Sequence, residues 1–204
     1  MNHPPLSPIA LEGCYVRLEP LTLEHLPALT AIGLEPSLWE WTPMRVSTPD
    51  EMRAEVESAL ADRKRGVAMP FVTLDRATGE ALGATRFGNY DAKHRRVEIG
   101  WTWITPSRQR TPVNTEAKYL QMRHAFETLG LQRVEWKTDA LNARSRAAIS
   151  RLGAREEGTL RRHMICDTGR VRDTVYYSVI AEDWPEVRTR LERFLRGDAW
   201  TSAR

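Results

Sequence analysis

Val16 and Leu18 alternate with Tyr15, Arg17 and Glu19 in CYVRLEPL, the period of two expected of a half-buried strand. The spacing then changes, and Leu23, Leu26 and Leu29 follow in helical register. LEPSLWEWTPMRVS breaks that register with two prolines and two tryptophans and predicts a long loop. Behind it, STPDEM offers Thr48 as N-cap, Pro49 at the first helical position and Glu51 as the partner of a capping box. Met52, Val56 and Leu60 carry one helical face onward.

PFVTLDRATGEALGATRF predicts two strands joined by a turn around Asp75 to Gly79. RRVEIGWTWI predicts another, with Val97, Ile99, Trp101 and Trp103 on one face and Glu98, Gly100 and Thr102 on the other. Tyr119, Met122, Phe126 and Leu129 mark a helix closed by Gly130. RVEWKTD reads as a strand, and NARSRAAISRLG as a short helix between Asn142 and Gly153. AREEGTLRRHMI and TVYYSVI form a hairpin turning at DTG, and Val187, Leu191 and Phe194 define a last amphipathic helix from DWPEV. This order, β-α-α-β-β-β-α-β-α-β-β and a helix, predicts an α+β (mixed α/β) domain with antiparallel hairpins around one right-handed β-α-β crossover. Ligands in such sheets gather where a strand end meets a helix N-terminus, here residues 104 to 116.

The 204 residues suit one domain, and 41% hydrophobic and 28% charged content is ordinary for a globular chain. The net charge of +3 is spread over interleaved acids and bases, which argues against a nucleic-acid-binding tail and makes nucleic acid an unfavoured partner. Cys14 and Cys166 lack ligand spacing and read as buried or idle thiols of a reducing compartment. His25, His94, His124 and His163 share no ligand spacing either, so no metal is expected. MNHPPLSPIA lacks the charged and apolar regions of a signal peptide, and no apolar run could span a bilayer. A cytoplasmic protein without membrane partners is the expectation.

SRQRTPVNTEAKYL, residues 107 to 120, carries the candidate chemistry. A helix N-terminus presents unpaired N–H groups and the positive end of its dipole. Arg108 and Arg110 just before it could contact phosphate oxygens, or could be solvated loop residues. Asn114 and Thr115 are both N-cap candidates.

The order of elements, this helix entry, VEWKTDALNARSRAAISRLGA, and EEGTLR with the hairpin into VYYSVI together resemble the GNAT superfamily of N-acetyltransferases, in particular its RimJ/RimL-like branch. The resemblance covers residues 11–183, expected as a GNAT-like acyltransferase domain, with 184–204 as a C-terminal helix and tail of a single domain. It implies a central, mostly antiparallel twisted sheet with helices on both faces. It also implies acetyl-CoA as acyl donor and a primary amine, peptide or small molecule, as acceptor. Relatives are often dimers, so a homodimer is a further expectation.

In that family a Gln/Arg-x-x-Gly-x-Gly/Ala loop wraps the diphosphate. Aligned on TEA, the motif falls on Gln109, Pro112 and Asn114. Proline has no N–H to donate, so Arg110, Thr111 and the amides of Val113, Asn114 and Thr115 should take a larger share of the anion. By the same resemblance Trp103, Ile104, Arg108 and Gln109 border the cofactor, the strand of Glu98 gives an N–H to the thioester oxygen, and Asn142 holds the pantetheine arm. Ser145 would meet the thiol sulfur, because Ile149 stands where the wider superfamily has an acidic tyrosine. Ser145 could equally be a small packing residue beside Ala148, Ile149 and Leu152. Glu157 occupies the position of a glutamate base proposed for the RimL type, with Glu98 its competitor and ordinary strand carboxylates as the alternative. Trp39 and Trp41 fall in the loop that borders the acceptor site, as an aromatic wall or, for at least one, as core. The basic LRRHM and GRVRD segments could meet an acidic acceptor or the ribose phosphate, or be solvated hairpin arginines. The two readings besides transfer are an acyl-CoA-binding sensor without turnover and a basic nucleic-acid-binding domain.

Overall fold

The structure, a computed structural model, describes residues 6–197. Its strands are β1 (Leu11–Glu12), β2 (Val16–Pro20), β3 (Met69–Asp75), β4 (Ala81–Asp91), β5 (Arg96–Ile104), β6 (Arg133–Asp139), β7 (Arg155–Ile165) and β8 (Val171–Ile180). The helices are α1 (Leu26–Gly33), α2 (Pro49–Lys64), α3 (Pro112–Arg123), α4 (Ala143–Arg151) and α5 (Trp184–Leu195). One sheet runs β1-β2-β3-β4-β5-β6-β8-β7, and every neighbouring pair is antiparallel except β5 and β6. Only the two-residue β1 adds to the order predicted from the pattern of residues.

Local chemistry starts α2 where the sequence puts it. Thr48 accepts from Glu51 N–H, the Glu51 carboxylate reaches back to Thr48 N–H, and Pro49 follows the cap. Those bonds satisfy donors that α2 would otherwise leave open. α3 begins earlier than predicted. Its N-cap is Thr111, with Pro112 at the first helical position, and Asn114 and Thr115 lie inside the first turn. A proline belongs at that position because its missing N–H has no helical partner to lose.

Two apolar layers sandwich the sheet. Leu29, Trp39, Met52 and Val56 from the α1–α2 side pack on Val72 and Trp103. Leu120, Met122, Ile149 and Leu191 from α3, α4 and α5 pack on Phe71, Phe87, Val97 and Ile99. Trp103 thus lies on the face opposite Val97 and Ile99, contrary to the simple alternation. The cause is a β-bulge: Arg86 pairs with Gly100 and Ala84 with Trp103, so Trp101 and Thr102 together oppose Thr85 alone. Trp101 takes φ +50° there. One extra residue inverts every side chain beyond it. Trp101, expected in the core, is half-buried, with Arg86 lying 4.7 Å over its ring.

α3 is tied to the first hairpin by a buried carboxylate. Glu116 accepts from the N–H groups of Cys14 at 2.7 Å, Tyr15 at 2.6 Å and Val16 at 2.8 Å. Gly13 beside it leaves room for this approach, since a Cβ there would overlap the Glu116 carboxyl. Glu116→Ala strands three donors around an empty site. We expect a loss of about 3 kcal/mol, seen as a thermal midpoint lower by about 10 °C in a two-state melt. An unchanged midpoint would mean that water replaces the carboxylate at no cost.

Candidate active site

β5 and β6 are joined only through Arg96–Arg133, Val97–Val134 and Glu98–Glu135, and then separate. Beyond Glu98 the β5 edge that faced β6 has no strand partner, and the bulge at Trp101 and Thr102 falls on that stretch. A parting of this kind offers N–H and C=O groups to an extended ligand in place of a strand. Trp103 and Ile104, both buried, direct their side chains into the two cores, so what they offer a ligand is backbone.

The entry to α3 borders the parting. After a short 3₁₀ turn at Pro106–Arg108, Arg110 adopts φ +60°, and Thr111 caps the helix while donating its hydroxyl to Arg108 C=O at 2.7 Å. A left-handed residue ahead of a helix turns successive N–H groups toward one side, the shape of an anion nest. Arg110 is exposed and forms no ion pair with a described residue. Arg108, in contrast, pairs with Asp75 at 3.1 Å, which removes it from the set of free cations. Gln109 donates to Ile104 C=O and accepts from Arg144 at 2.8 Å. It is therefore a strut between β5 and α4. Val113 is buried, Thr115 is buried and accepts from Arg151 at 2.8 Å, and Asn114 Oδ1 is buried without a hydrogen-bond partner. The Arg144–Gln109 and Arg151–Thr115 bonds set α4 alongside the α3 entry, across the parting.

Asn142 is the N-cap of α4, its Oδ1 accepting from Ser145 N–H at 2.9 Å. Ser145 is half-buried on the first turn, and Ile149 one turn on is buried in the core beneath α4. Glu98 stands at the point of separation, buried, pairing with Lys137 at 2.9 Å and accepting from Asn89 at 2.6 Å.

Glu157 is placed otherwise. Arg133 grips both its oxygens and Ser178 donates to it at 2.7 Å, on the strand at the far edge of the sheet. The Arg133 hydrogen bonds outweigh partial burial and hold its carboxyl down at about 2. A carboxylate so stabilised is a poor proton acceptor at neutral pH, which weighs against its expected role as base.

On the α2 side of the bulge, Arg86 is buried between Glu55, Asp62 at 3.6 Å and the Trp101 ring. Burial pushes the Glu55 carboxyl up, against the pull of Arg86. Trp39 takes the second of its two expected places. It is 6% exposed, donates Nε1–H to Gly33 C=O at 2.7 Å and packs 5.8 Å from Trp103, so it is core and presents no open wall. Trp41 is half-buried under the Arg170 guanidinium at 5.4 Å. Arg170 in turn donates to the buried Asp139 at 2.6 Å, and Arg172 is itself buried near the same carboxylate. The basic hairpin segment therefore closes the α1–α2 loop onto the β7–β8 turn, reinforced by Asp167 N–H to Pro43 C=O at 2.9 Å. Arg172 is thus buried, and Arg170 is half-buried with its guanidinium paired.

Residues that the sequence reading passed over stand behind this surface: Lys118, Arg86 and Glu55. Lys118 shares a helical face with Thr115 and Met122, and that spacing was the available signal. Among the described residues no cluster of three or more His, Cys, Asp or Glu could hold a metal ion. No helix among them is long and apolar enough to cross a membrane.

A family model described as an acetyltransferase (GNAT) domain matches residues 16–155. The uncharacterized N-acetyltransferase YoaA of Bacillus subtilis is 32% identical over 123 residues, 60% of this chain and 67% of that one. The crystal structure of a GCN5-related N-acetyltransferase from Brucella melitensis superposes with a TM-score of 0.88 at 32% identity, covering 98% of this chain and 91% of that one. RimJ of Mycobacterium smegmatis, solved in complex with CoA-disulfide, superposes with a TM-score of 0.77 at 26% identity, covering 98% of each chain. Shared sheet topology, a strand parting beside a helix entry and these likenesses converge. The chain belongs to the GNAT acetyltransferase family, in its RimJ/RimL-like branch, and is an N-acetyltransferase that uses acetyl-CoA as its acyl donor.

Proposed function

We propose that the protein acetylates a primary amine, of a peptide N-terminus or a small molecule, by direct attack at the β5–β6 parting. The observation that carries the reading is the coincidence of three features: the end of the parallel ladder at Glu98, the bulge at Trp101–Thr102, and the α3 entry next to both. The α3 N-terminus with Arg110 suits a diphosphate, and the unpaired β5 edge suits the amide groups of a pantetheine arm. The bulge supplies backbone N–H groups toward the negative charge that grows on a thioester oxygen. Ser145, on the first turn of α4, is the donor for the leaving sulfur. Glu98, directly or through a water, takes the proton released by the amine, with Lys137 and Asn89 holding its carboxylate in place. Trp41 and the Arg170 hairpin contact form the rim that an acceptor meets.

One observation favours a second reading. Pro112 removes an N–H from the cradle, and a protein that holds acyl-CoA without turnover would tolerate that loss. Thiol release with acetyl-CoA and a panel of peptide and small-molecule amines decides between the two. Turnover with any amine supports transfer; tight binding by calorimetry with no thiol release supports the sensor.

Arg110→Ala should weaken acetyl-CoA binding by about 1 to 3 kcal/mol, the scale of one charge-assisted contact, while Arg108→Ala leaves it within about threefold because Asp75 already holds that guanidinium. Equal losses in both proteins, measured by calorimetry, would put the anion elsewhere. Ser145→Ala should lower kcat about ten- to a thousandfold with little change in cofactor affinity, since the lost bond matters only as charge builds on sulfur. Glu98→Gln should lower kcat by about 10- to 100-fold, and Glu157→Gln should keep it within about threefold. A larger loss for Glu157→Gln in steady-state thiol release would return the base to the edge strand.

A further inference from the structure

Lys118 is a lysine of α3 that points into the protein. It is 3% exposed, and it faces no carboxylate. Its Nζ lies 2.7 Å from Thr85 Oγ1, 2.7 Å from Thr102 Oγ1 and 3.2 Å from Gln121 Oε1. Three oxygens match the three N–H donors of an ammonium, with none left over. Burial pushes the amine down to about 7, whereas this full set of acceptors favours the charged form. A long polar side chain is thus kept at considerable cost where an apolar residue would pack as well.

The hydroxyls continue the chain of bonds into β5. Thr85 and Thr102 lie 2.8 Å apart, and Thr102 Oγ1 also reaches Gly100 C=O at 3.3 Å. With Lys118 donating to both hydroxyls, the Thr102 proton is left for Gly100 and the Thr85 proton for Thr102 or for Gln121 Oε1 at 3.3 Å. The network therefore spans both strands at the bulge. Thr85 is the single residue that Trp101 and Thr102 oppose, and Trp101 holds φ +50°, a conformation that costs a non-glycine residue about 1 kcal/mol or more. Such strain persists only where the surroundings fix it. From the α2 side, Arg86 and the close approach of Gly88 hold the Trp101 ring. From the α3 side, Lys118 holds Thr102.

We propose that Lys118 is a positioning residue for acyl transfer: through Thr85 and Thr102 it fixes the bulge, and with it the direction of the backbone N–H groups that meet the reacting carbonyl. The inference rests on the acyl-transfer reading of the β5–β6 parting. Lys118 itself touches neither donor nor acceptor. An apolar side chain of equal length frees the two hydroxyls to rotate, and the N–H groups of the bulge then sample directions that do not serve a developing oxyanion. A donor misplaced by a fraction of an ångström loses most of its effect on a transition state while ground-state binding is retained.

Lys118→Met and Thr102→Val test this in the full-length chain, with Thr102→Ser restoring the oxygen. Lys118→Met and Thr102→Val should each lower kcat about 10- to 100-fold, with acetyl-CoA affinity by calorimetry and the acceptor KM within about threefold. The double variant should lose little more than either single one, because both break the same network. Thr102→Ser should recover most of the rate. Additive losses, a parallel fall in kcat and cofactor affinity, or unchanged kcat in both single variants would overturn the proposal. If Lys118→Met fails to fold, the Thr102 pair gives the same comparison. If the parent itself shows no turnover with any amine, the acyl-transfer reading fails separately. Amide hydrogen exchange at Gly100–Thr102 then decides: faster exchange in Lys118→Met supports its hold on the bulge, and equal exchange removes it.

Discussion

Backbone N–H and C=O groups inside a sheet need partners, and β5 and β6 supply each other over only three residue pairs. Nearly every functional feature follows from where that supply ends. The only parallel pair of the sheet requires a crossover, and α3 with its π-helical extension at His124–Thr128 provides it. α3 must start near the C-terminal end of β5, so its unpaired N–H groups fall next to the β5 edge that has lost its partner. The α3 N-terminus and the free strand edge are thus products of one connection. The antiparallel pairing of β6 with β8 continues for seven residues and keeps the other side of the parting rigid.

Apolar packing holds the layers together, but buried polar groups set the geometry near the parting. Glu116 binds three N–H groups of the first hairpin, Lys118 gathers three side-chain oxygens, and Asp139 accepts from Leu141 N–H while meeting Arg170. A hydrophobic contact tolerates sliding by a fraction of an ångström; a buried ion with its acceptors in fixed positions does not. Glu116 fixes α3 against β1 and β2, Lys118 fixes it against β4 and β5, and the α3 entry is located from both sides. Asp139 fixes the end of β6 at the turn into α4. The two helices that flank the parting are each referenced to the sheet by charge.

Charge is used sparingly at the surface of the site. Of the arginines around the α3 entry, Arg108 is committed to Asp75, Arg144 to Gln109 and Arg151 to Thr115. These side chains give stiffness, and each commitment lowers the number of cations able to follow an anion. Arg110 differs because its left-handed backbone projects it out of the turn. In the proposed cradle, charge would therefore come more from oriented backbone than from side chains, as a helix N-terminus allows. The proposed acceptor rim is organised the other way. Arg86 with Glu55, and Arg170 with Asp139 and Trp41, are closed pairs that shape the rim without offering a free charge.

The periodicity of the chain was enough for the order of elements, since strands with period two and helices capped by Thr48 and Asn142 are local events. A helix entry with Arg108 and Arg110 before it is legible at short range too, because it depends on neighbouring residues only. Periodicity failed where one residue changed a register. Nothing in RRVEIGWTWI announces that Trp101 and Thr102 face Thr85 alone, because a bulge is decided by the partner strand, so simple alternation puts Trp101 and Trp103 on the wrong face. It failed again where a side chain's meaning depends on a distant partner. Glu157 and Glu98 look alike as strand glutamates, and only the folded chain gives one to Arg133 and the other to Lys137 at the parting. Trp39 reads as a loop aromatic until Gly33 and Trp103 enclose it. Lys118 carries no sign of its role in the sequence, because Thr85 and Thr102, which surround its amine, are 33 and 16 residues away. Local sequence determined which elements form and where they begin, because capping and periodicity act within a few residues; tertiary structure decided which charges are spent and which remain, because an ion's partners come from other strands.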